Sequence, residues 1–403
     1  MGTCAAESEP RPLEGVRVLA AEQFGAGPWG TMLLADLGAE IIKIENPAGG
    51  DIGRSVGPYA GDRDSVYFQS FNRSKKSVTL NLQHPQVADV LHPLVRASDV
   101  VFNNLRGDLP ARLGLDYAAL GPIHPPIVCC SLSAFGRTGA RAAEPGYDYL
   151  MQGYAGWMSL TGEPDRPPQK AGLSLVDLSA GAMAALGTVA AVLRARGAGI
   201  GGDVEVDLFA VAVSQLAYVG AWHLTSGYQP HRMPDSSHPS QIPSQTLPTR
   251  DGWLVVMCAK EKFYQRLVAG LELPELAADP RFLSFADRLE HRAELSALLA
   301  QRTREKTTAE WLERLRGQVP CGPVNTVAEA LADPELERAG LLAEWPHDQF
   351  GTVRTVGSPI RVRGQATPVR RAPALGEDTD RILMELAGFG EVELARLRTD
   401  GVI

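Results

Sequence analysis

Strand-like and helix-like segments alternate from residue 13 to about residue 207, and this alternation restricts the possible folds more than any other feature of the chain. Strands are expected at residues 16–19, 40–45, 78–80, 100–102, 127–132 and 204–207, and helices at 29–37, 86–97 and from Leu178 onward. Strands that alternate with helices form a parallel sheet covered by those helices. The sequence therefore predicts an α/β fold with a large Rossmann-like domain.

The pattern changes after residue 225. Residues 226–244 are crowded with Pro, Ser, Gly and His and show no periodicity, as in linkers and active-site loops. A smaller α+β unit is expected next, with a strand at 251–257 and helices near 263–273, 293–301 and 309–315. We predict three parts: residues 1–224 begin the large domain, 225–325 form the linker and small domain, and 326–403 return to the large domain. Residues 375–380 are expected to open a last helix.

Composition indicates an ordinary globular protein. Of the 403 residues 44% are apolar, and the net charge is −8. Nucleic-acid and membrane-surface binding need a basic surface, so neither partner is expected. The five cysteines (Cys4, Cys129, Cys130, Cys258 and Cys321) are odd in number, and residues 1–12 lack a signal-peptide pattern. We expect a cytoplasmic protein, and no metal site, because neither a Cys-x-x-Cys pair nor a His-x-x-x-His spacing occurs.

Two acidic residues occur at predicted helix starts. Asp177 lies in Val176-Asp-Leu-Ser-Ala-Gly181, and Asp148 follows Gly146-Tyr147. A carboxylate at a helix N-terminus can cap the free backbone N–H groups, or it can be an anionic nucleophile placed in a cleft. Both interpretations of Asp177 remain open from these residues alone.

The segment Gly25-Ala-Gly27-Pro-Trp-Gly30 matches the glycine spacing of dinucleotide-binding proteins. This spacing supports an NAD-dependent oxidoreductase as an alternative function. Residues 21–24 separate the strand from the first glycine, however, and Trp29 adds bulk where a pyrophosphate would approach. Both features disfavour the nicotinamide alternative.

Taken together, the motifs resemble those of class III CoA-transferases of the CaiB/BaiF type. The matching segments occur in the same order over nearly the whole chain, at residues 12–18, 26–28, 34–45, 50–54, 71–76, 146–148, 176–181, 320–324 and 372–376. The resemblance implies an interlocked homodimer that binds CoA on its large domain and needs no tightly bound cofactor. It also implies that Asp177 attacks an acyl-CoA thioester to form a mixed anhydride and then an aspartyl-CoA thioester.

The resemblance further assigns residues to the substrates. The CoA contacts that it implies are Gly25, Ala26, Asn46, Leu80, Gln83, Asn104, Leu105 and Arg112. Arg112 is the expected phosphate partner, whereas Leu80 and Leu105 could equally be core residues, and Arg54, Lys75 and Lys76 surface residues. Some members carry basic residues where this chain has Asn46, Gln83 and Pro145, which implies fewer ionic contacts.

Three further residues are assigned to the acid-binding side of the site. Tyr147 and Asp148 are expected near the substrate, with Asp148 as a helix cap or an orienting group. His238, in the predicted lid at residues 236–241, would contact the acceptor carboxylate or be an exposed histidine without a role. The related α-methylacyl-CoA racemases use a histidine where this chain has Tyr147, and tyrosine is a weak base at neutral pH. Small dicarboxylates, with succinyl-CoA as donor, are the expected substrates.

Overall fold

A computed structural model describes residues 10–60, 64–362 and 369–403, so Cys4 lies outside the described residues. The chain divides into two compact units. The first contains the described residues up to Ala155, then Gly172–Ala217 and Glu335–Ile403, and the second contains Gly156–Ala171 and Tyr218–Pro334. Residues 156–171, which the sequence places in the large domain, thus belong to the second unit, and this unit ends at Pro334 rather than at residue 325.

The first unit is built on a six-stranded parallel sheet with the order β5-β2-β1-β6-β7-β8. Leu19 of the central strand β1 lies opposite Ile42 of β2 on one side and Val101 of β6 on the other. The predicted α/β class with a parallel sheet is confirmed. The strands are β1 Arg17–Ala21, β2 Glu40–Glu45, β3 Tyr59–Ala60, β4 Asp64–Ser65, β5 Lys76–Thr79, β6 Val100–Asn103, β7 Val128–Ser133 and β8 Gly202–Asp207, with β3 and β4 forming a separate hairpin.

The helices between these strands place the candidate site residues. Helix α7 packs against α1 and against strands β7 and β8, while α3 contributes Val90 and Leu94 to the core around β1 and β2. The helices are α1 Ala26–Asp36, α2 Val66–Asn72, α3 Val87–Arg96, α4 Leu109–Arg112, α5 Tyr117–Leu120, α6 Asp148–Tyr154, α7 Leu175–Ala198 and α8 Leu208–Ser214.

The second unit is a smaller α+β structure, as predicted. Its strands β9 Ser244–Pro248, β10 Trp253–Met257 and β11 Cys321–Pro323 form an antiparallel sheet with β10 in the centre. Leu254 and Val256 of β10 pack in one core with Phe282 and Trp311. The helices in this part of the chain are α9 Ala217–Ser226, α10 Glu261–Gly270, α11 Phe285–Glu290, α12 Arg292–Thr303, α13 Thr308–Leu315, α14 Val327–Leu331 and α15 Pro334–Arg338.

The C-terminal segment completes the core of the first unit. It contains a hairpin of β12 Leu342–His347 and β13 Gly351–Val356, followed by α16 Thr379–Ala387 and α17 Glu391–Thr399. The helix predicted after residue 375 is α16, but it is not the last, because Gly388 ends it at φ 76° and α17 follows. Leu394 and Leu397 of α17 join the core formed by the sheet and α3.

Helix α7 is the one described helix that by itself is long and apolar enough to cross a membrane, while α8 and α9 pass that test only as a bent pair. Its apolar composition has another explanation in this fold. The helix packs against α1 and the sheet, and residues such as Val176, Ala180, Ala184 and Val192 are buried. The face of a helix that packs against the core of a globular protein is apolar in the same way.

The glycine spacing at residues 25–30 is explained by close packing of α1. A Cβ atom on Gly27 would lie 2.7 Å from Asn104 Cγ, and one on Gly30 would lie 2.6 Å from the carbonyl oxygen of Gly181 on α7. In return, a Cβ atom on Gly181 would lie 2.4 Å from the carbonyl oxygen of Ala26. Gly27 and Gly30 therefore serve contacts within the protein, which removes the main support for the dinucleotide interpretation.

This contact predicts opposite effects for two glycines of α7. Gly181→Ala should destabilise the protein by about 1–3 kcal/mol, because the added methyl overlaps the backbone of α1. Gly197→Ala should be neutral or stabilise by up to ~1 kcal/mol, because no atom lies within 4 Å of its Cβ position and alanine favours the helix. Urea denaturation of both variants measures the difference. Equal effects of the two substitutions would show that α1 and α7 do not pack this tightly.

Candidate active site

The N-terminus of α7 is capped by a side chain from α6. Asp148 Oδ2 accepts hydrogen bonds from the backbone N–H groups of Val176 at 2.6 Å and Asp177 at 3.0 Å. Its other oxygen accepts from Gln152 Nε2 at 2.6 Å. Ser174, the residue at the N-cap position, makes no side-chain capping bond. Asp148 therefore supplies the acceptor that the first turn of α7 needs.

Asp177 consequently has no capping role. It is the third residue of α7 and only 8% exposed, and no described residue donates a hydrogen bond to its carboxylate. Burial, together with the nearby negative charge of Asp148, raises the pKa of Asp177 to about 7. The capping role that the sequence left open for Asp177 is thus performed by Asp148. Asp177 is a poorly solvated carboxylate.

Gly25 and Tyr67 lie beside the Asp177 carboxylate. A Cβ atom on Gly25 would lie 3.0 Å from Asp177 Oδ2 and 3.3 Å from the Tyr67 hydroxyl oxygen. Phe24 packs against Tyr67 and Tyr147, with ring centroids 5.3 Å and 6.1 Å apart. The loop that joins β1 to α1 thus lies next to the acidic helix start, and Tyr67 is a site residue that the sequence did not identify.

Phe24 is held in a left-handed backbone conformation, with φ 67°, which is uncommon for a bulky residue. Its backbone N–H donates to Asp51 Oδ1 at 2.8 Å. The same Asp51 oxygen accepts from the Gly53 N–H at 2.7 Å, and the other oxygen pairs with Lys43 Nζ at 2.8 Å. Asp51 therefore connects the strained loop beside Asp177 to a buried group of charges.

This buried charge cluster contains three acidic and three basic side chains: Glu22, Lys43, Glu45, Asp51, Arg54 and Lys75. Lys75 Nζ lies 2.6 Å from Glu22 Oε1, and Arg54 binds both oxygens of Glu45 at 2.8 Å. Equal numbers of opposite charges make burial of the group tolerable. The surface alternative is thus wrong for Arg54 and Lys75, which are 4% and 5% exposed, whereas Lys76 is half-buried and pairs with Glu40.

The titration behaviour of the cluster follows from its pairings. Burial lowers the pKa of Lys75 to about 8, although the charge of Glu22 opposes this shift. Burial would also lower the pKa of Lys43, but Asp51 and Glu22 raise it above its ordinary value. Burial would raise the pKa of Glu45, but the hydrogen bonds from Arg54 and the charge of Lys43 lower it to about 2. Glu45 thus favours its charged form, in contrast to Asp177.

Most of the predicted CoA contacts follow the carboxyl ends of adjacent strands. Gly25 and Ala26 follow β1, Asn46 follows β2, Leu80 and Gln83 follow β5, and Asn104 and Leu105 follow β6. The chain runs outward from β1 through β2 to β5 and then crosses to β6 on the other side of β1. The carboxyl edge at such a reversal is the usual ligand site of open α/β sheets.

The individual side chains differ in how available they are for a ligand. Leu80 is 1% exposed and belongs to the core, and Leu105 packs against the same core. Asn104 bonds the backbone of Gln23 with both ends of its amide, at 2.8 Å and 2.7 Å. These three side chains are therefore occupied within the protein.

The other predicted CoA contacts are more accessible. Asn46 and Gln83 are exposed, and Asn46 Oδ1 accepts from the N–H of Ala48 at 2.8 Å. Arg112, on α4, has a side chain 69% exposed and pairs with Asp108 at 3.3 Å. An exposed guanidinium in a weak surface pair can exchange its partner for a phosphate.

Tyr147 and His238 lie in different units. Tyr147 is 64% exposed and precedes Asp148 in the first unit. His238 lies in the second unit and is half-buried, and its Nδ1 accepts from the N–H groups of Ser240 and Gln241 at 3.1 Å. Burial and then the charge of Arg292 lower the pKa of His238, which favours the neutral ring. The histidine thus stabilises its own turn and is not an exposed loop residue without a role.

Arg292, which the sequence did not indicate, forms hydrogen bonds with the predicted lid. Arg292 of α12 donates to Ser237 Oγ at 2.9 Å and to the carbonyl oxygens of His238 at 3.1 Å and Pro239 at 2.6 Å. Its position, about 50 residues downstream, gives no local signal of this contact. These bonds fix residues 237–239 within the second unit.

Comparison with known proteins assigns the chain to a family. The family described as CoA-transferase family III matches residues 13–379. The succinate–glutarate CoA-transferase of Agrobacterium fabrum is 34% identical over 385 residues, which cover 93% of this chain and 96% of that protein. The acetyl-CoA:oxalate CoA-transferase of Acetobacter aceti is 34% identical over 380 residues, with 93% and 96% coverage.

A solved structure agrees with this assignment. The crystal structure of a CaiB/BaiF family protein from Brucella suis superposes with a TM-score of 0.82 at 36% identity, over 94% of this chain and 100% of that one. Sequence and structure thus lead to the same family over nearly the whole length of the chain. The chain belongs to CoA-transferase family III, and the predicted family and enzyme class are confirmed.

Proposed function

We propose that this protein transfers CoA from an acyl-CoA to a carboxylic acid, with Asp177 as the nucleophile. The observation that carries the proposal is that Asp177 is a buried carboxylate at the start of α7, where Asp148 and not Asp177 caps the helix. A carboxylate in water is a weak nucleophile, because hydrogen-bonded water stabilises its charge. Loss of that hydration, together with a fixed position against the thioester, lowers the barrier to attack.

The proposed reaction has four steps and needs no net proton transfer. An Asp177 oxygen attacks the thioester carbonyl carbon, the C–S bond breaks, and the CoA thiolate leaves a mixed anhydride. The thiolate attacks the aspartyl carbonyl, which gives aspartyl-CoA thioester and releases the donor acid. The acceptor carboxylate then attacks this thioester and expels the thiolate. The thiolate finally attacks the acceptor carbonyl of the new anhydride and restores the Asp177 carboxylate.

Small dicarboxylates are the proposed acids, with succinyl-CoA as donor. The names of the two relatives compared above support a dicarboxylate, since they include succinate, glutarate and oxalate.

We further propose a cytoplasmic homodimer without a tightly bound cofactor. Leu186 and Leu193, which are 70% and 75% exposed on α7, support a partner surface, and light scattering of the purified protein tests it.

The alternatives have less support. A racemase needs a base beside Asp148, and the residue there is the exposed Tyr147. An oxidoreductase needs the glycines of residues 25–30 to approach a pyrophosphate, whereas Gly27 and Gly30 contact Asn104 and α7.

Removal of the Asp177 carboxylate should abolish transfer. We expect Asp177→Ala and Asp177→Asn to lower kcat by about 10³-fold or more, because both variants lack the carboxylate that forms the acyl intermediate. Intact mass spectrometry should detect a hydroxylamine-sensitive adduct on the parent and none on either variant. Asp89→Asn is the matched control, since Asp89 occupies the same third position in α3 but is exposed. Transfer by Asp177→Ala at the parental rate would disprove the proposed function.

The raised pKa of Asp177 predicts an unusual pH dependence. The carboxylate must be ionised to attack, so kcat/KM should rise as the pH increases through about 7 and level off above it. Folding should show the opposite trend. Because the folded state binds this proton more tightly than the unfolded chain, the stability it contributes is present at low pH and is lost between about pH 4 and pH 7.

The variant Asp177→Asn isolates that group. Its Tm should exceed the parent's at pH 8, and the difference should shrink at pH 5, where the parental Asp177 is also neutral. Scanning calorimetry at both pH values measures this. A Tm difference that is the same at pH 5 and pH 8 would contradict a pKa near 7.

The acid specificity can be measured with a panel of acceptors. With succinyl-CoA as donor, we expect glutarate, oxalate and other C2–C6 dicarboxylates to be accepted with kcat/KM at least about tenfold above that of monocarboxylates of equal length. The physical reason is that a cation or hydrogen-bond donor for the second carboxylate contributes about 1.5–3 kcal/mol. Product acyl-CoAs are quantified by liquid chromatography. Equal use of monocarboxylates would refute the dicarboxylate assignment and leave the role of Asp177 unaffected.

A further inference from the structure

Two oxygen atoms of different chemistry approach one point beside Gly25. The point is where a Cβ atom would be if residue 25 had a side chain, 3.0 Å from Asp177 Oδ2 and 3.3 Å from the Tyr67 hydroxyl oxygen. A nucleophile in position for attack lies about 3–3.5 Å from the reacting carbon, and a hydrogen-bond donor acts on the developing oxyanion at about 3 Å. That point is one covalent bond from the Gly25 Cα atom, so no substrate atom occupies it, but a side chain there would cover both oxygens. The glycine therefore leaves the two oxygens accessible to a carbonyl group beside it.

The Tyr67 hydroxyl is available for such a role. No described residue forms a hydrogen bond with it, although the ring is held between Phe24 and Phe71, with centroids 5.3 Å and 4.9 Å away. Burial and the negative charge of Asp177 raise the pKa of Tyr67 well above its ordinary value, so the hydroxyl keeps its proton. A half-buried hydroxyl that does not stabilise the fold by hydrogen bonding is free to donate to a substrate.

We infer that Tyr67 donates a hydrogen bond to the carbonyl oxygen of the acyl group that Asp177 attacks, and that Gly25, which has no side chain, leaves both oxygens open to this carbonyl. The inference rests on the proposed function and adds a second residue in contact with the reacting atoms. As an Asp177 oxygen bonds to the carbonyl carbon, the π electrons of the carbonyl move to its oxygen. Tyr67 stabilises that oxyanion and keeps its proton, and collapse of the intermediate breaks the C–S bond and releases the CoA thiolate.

The loop geometry supports this arrangement. Gly25 follows Phe24, whose left-handed backbone is fixed by the hydrogen bond to Asp51 and through Asp51 to Lys43. The same loop is bonded at Gln23 by Asn104. The two residues directly before Gly25 are thus attached to other parts of the first unit, which limits movement of the loop beside Asp177. A preorganised donor of this kind loses little free energy to reorganisation during the reaction.

The first test is Tyr67→Phe, measured with the acyl-CoA and the acid that react fastest in the acceptor panel. We expect kcat to fall about 10²–10³-fold, as on removal of one oxyanion donor, while KM and Tm change little because the ring is retained. The rise of rate with pH near 7 should persist, because Asp177 still controls it. Tyr117→Phe is the matched control, since Tyr117 lies on α5 and its hydroxyl donates a hydrogen bond to the carbonyl oxygen of Pro125 at 2.9 Å.

The second test fills the space. Gly25 has φ −108°, which alanine adopts without strain, so Gly25→Ala places a methyl group against the Asp177 carboxylate and the Tyr67 hydroxyl. We expect transfer to fall at least as far as in Tyr67→Phe, with the CoA dissociation constant within about threefold of the parent by calorimetry. Gly197→Ala, which adds a methyl in open space, should transfer CoA at the parental rate.

The outcomes separate this inference from the proposed function. Inactive Asp177→Ala together with parental kcat in Tyr67→Phe overturns the role of Tyr67 and leaves the nucleophile in place. A Tyr67→Phe defect confined to KM or Tm also overturns it, because that is the pattern of a packing residue. Parental transfer by Gly25→Ala overturns the carbonyl position. Full activity of Asp177→Ala is the separate result that refutes the proposed function itself.

Discussion

The hydrogen bonds from the first turn of α7 to Asp148 are the interaction on which the candidate site depends. A buried helix start needs acceptors for its free N–H groups, and the residue at the N-cap does not provide one. Asp148 does so from a different helix, and its charge is stabilised by three donors. Asp177, the third residue of α7, is buried and accepts no hydrogen bond from the described residues. The two neighbouring carboxylates therefore differ in environment, and the poorly solvated one is the proposed nucleophile.

The loop beside Asp177 also depends on the buried charge cluster. Six buried ionic side chains connect the loop before α1 to β2, to the turn at Asp51 and to α2. Loss of one partner from a buried pair typically destabilises a protein by about 3–5 kcal/mol, because the remaining charge has no counterion. That sensitivity, together with the positive φ of Phe24, indicates that this region maintains a strained loop. Strain of this kind is concentrated near functional sites.

Local patterns predicted the fold better than the site. The parallel sheet followed from apolar runs alternating with helices, and the predicted strand at residues 40–45 has the bounds of β2. The sequence did not predict that Asp148 caps α7 and that Asp177 has no capping role. Both are acidic residues at helix starts, and only their tertiary contacts distinguish them. The sequence could not distinguish a buried from an exposed position for Arg54 and Lys75. A charged side chain is buried only where the fold brings a partner of opposite charge to it, and the sequence does not show that partner. The second helix after residue 375 was missed because Gly388 interrupts a continuous polar and apolar pattern.

The glycines of residues 25–30 show why a motif needs its neighbours before it can be interpreted. The spacing fits a dinucleotide fold, yet a side chain on Gly27 would meet an asparagine of the protein, and one on Gly30 would meet the backbone of α7. Both residues are glycine because two protein segments approach each other. Gly25 differs from them, because the nearest atoms to its missing side chain are a carboxylate oxygen without donors and a hydroxyl without a described partner. A side chain there would cover both oxygens, whereas the glycine leaves them open to the carbonyl of the proposed reaction, so of these three glycines Gly25 is the one that this reaction explains.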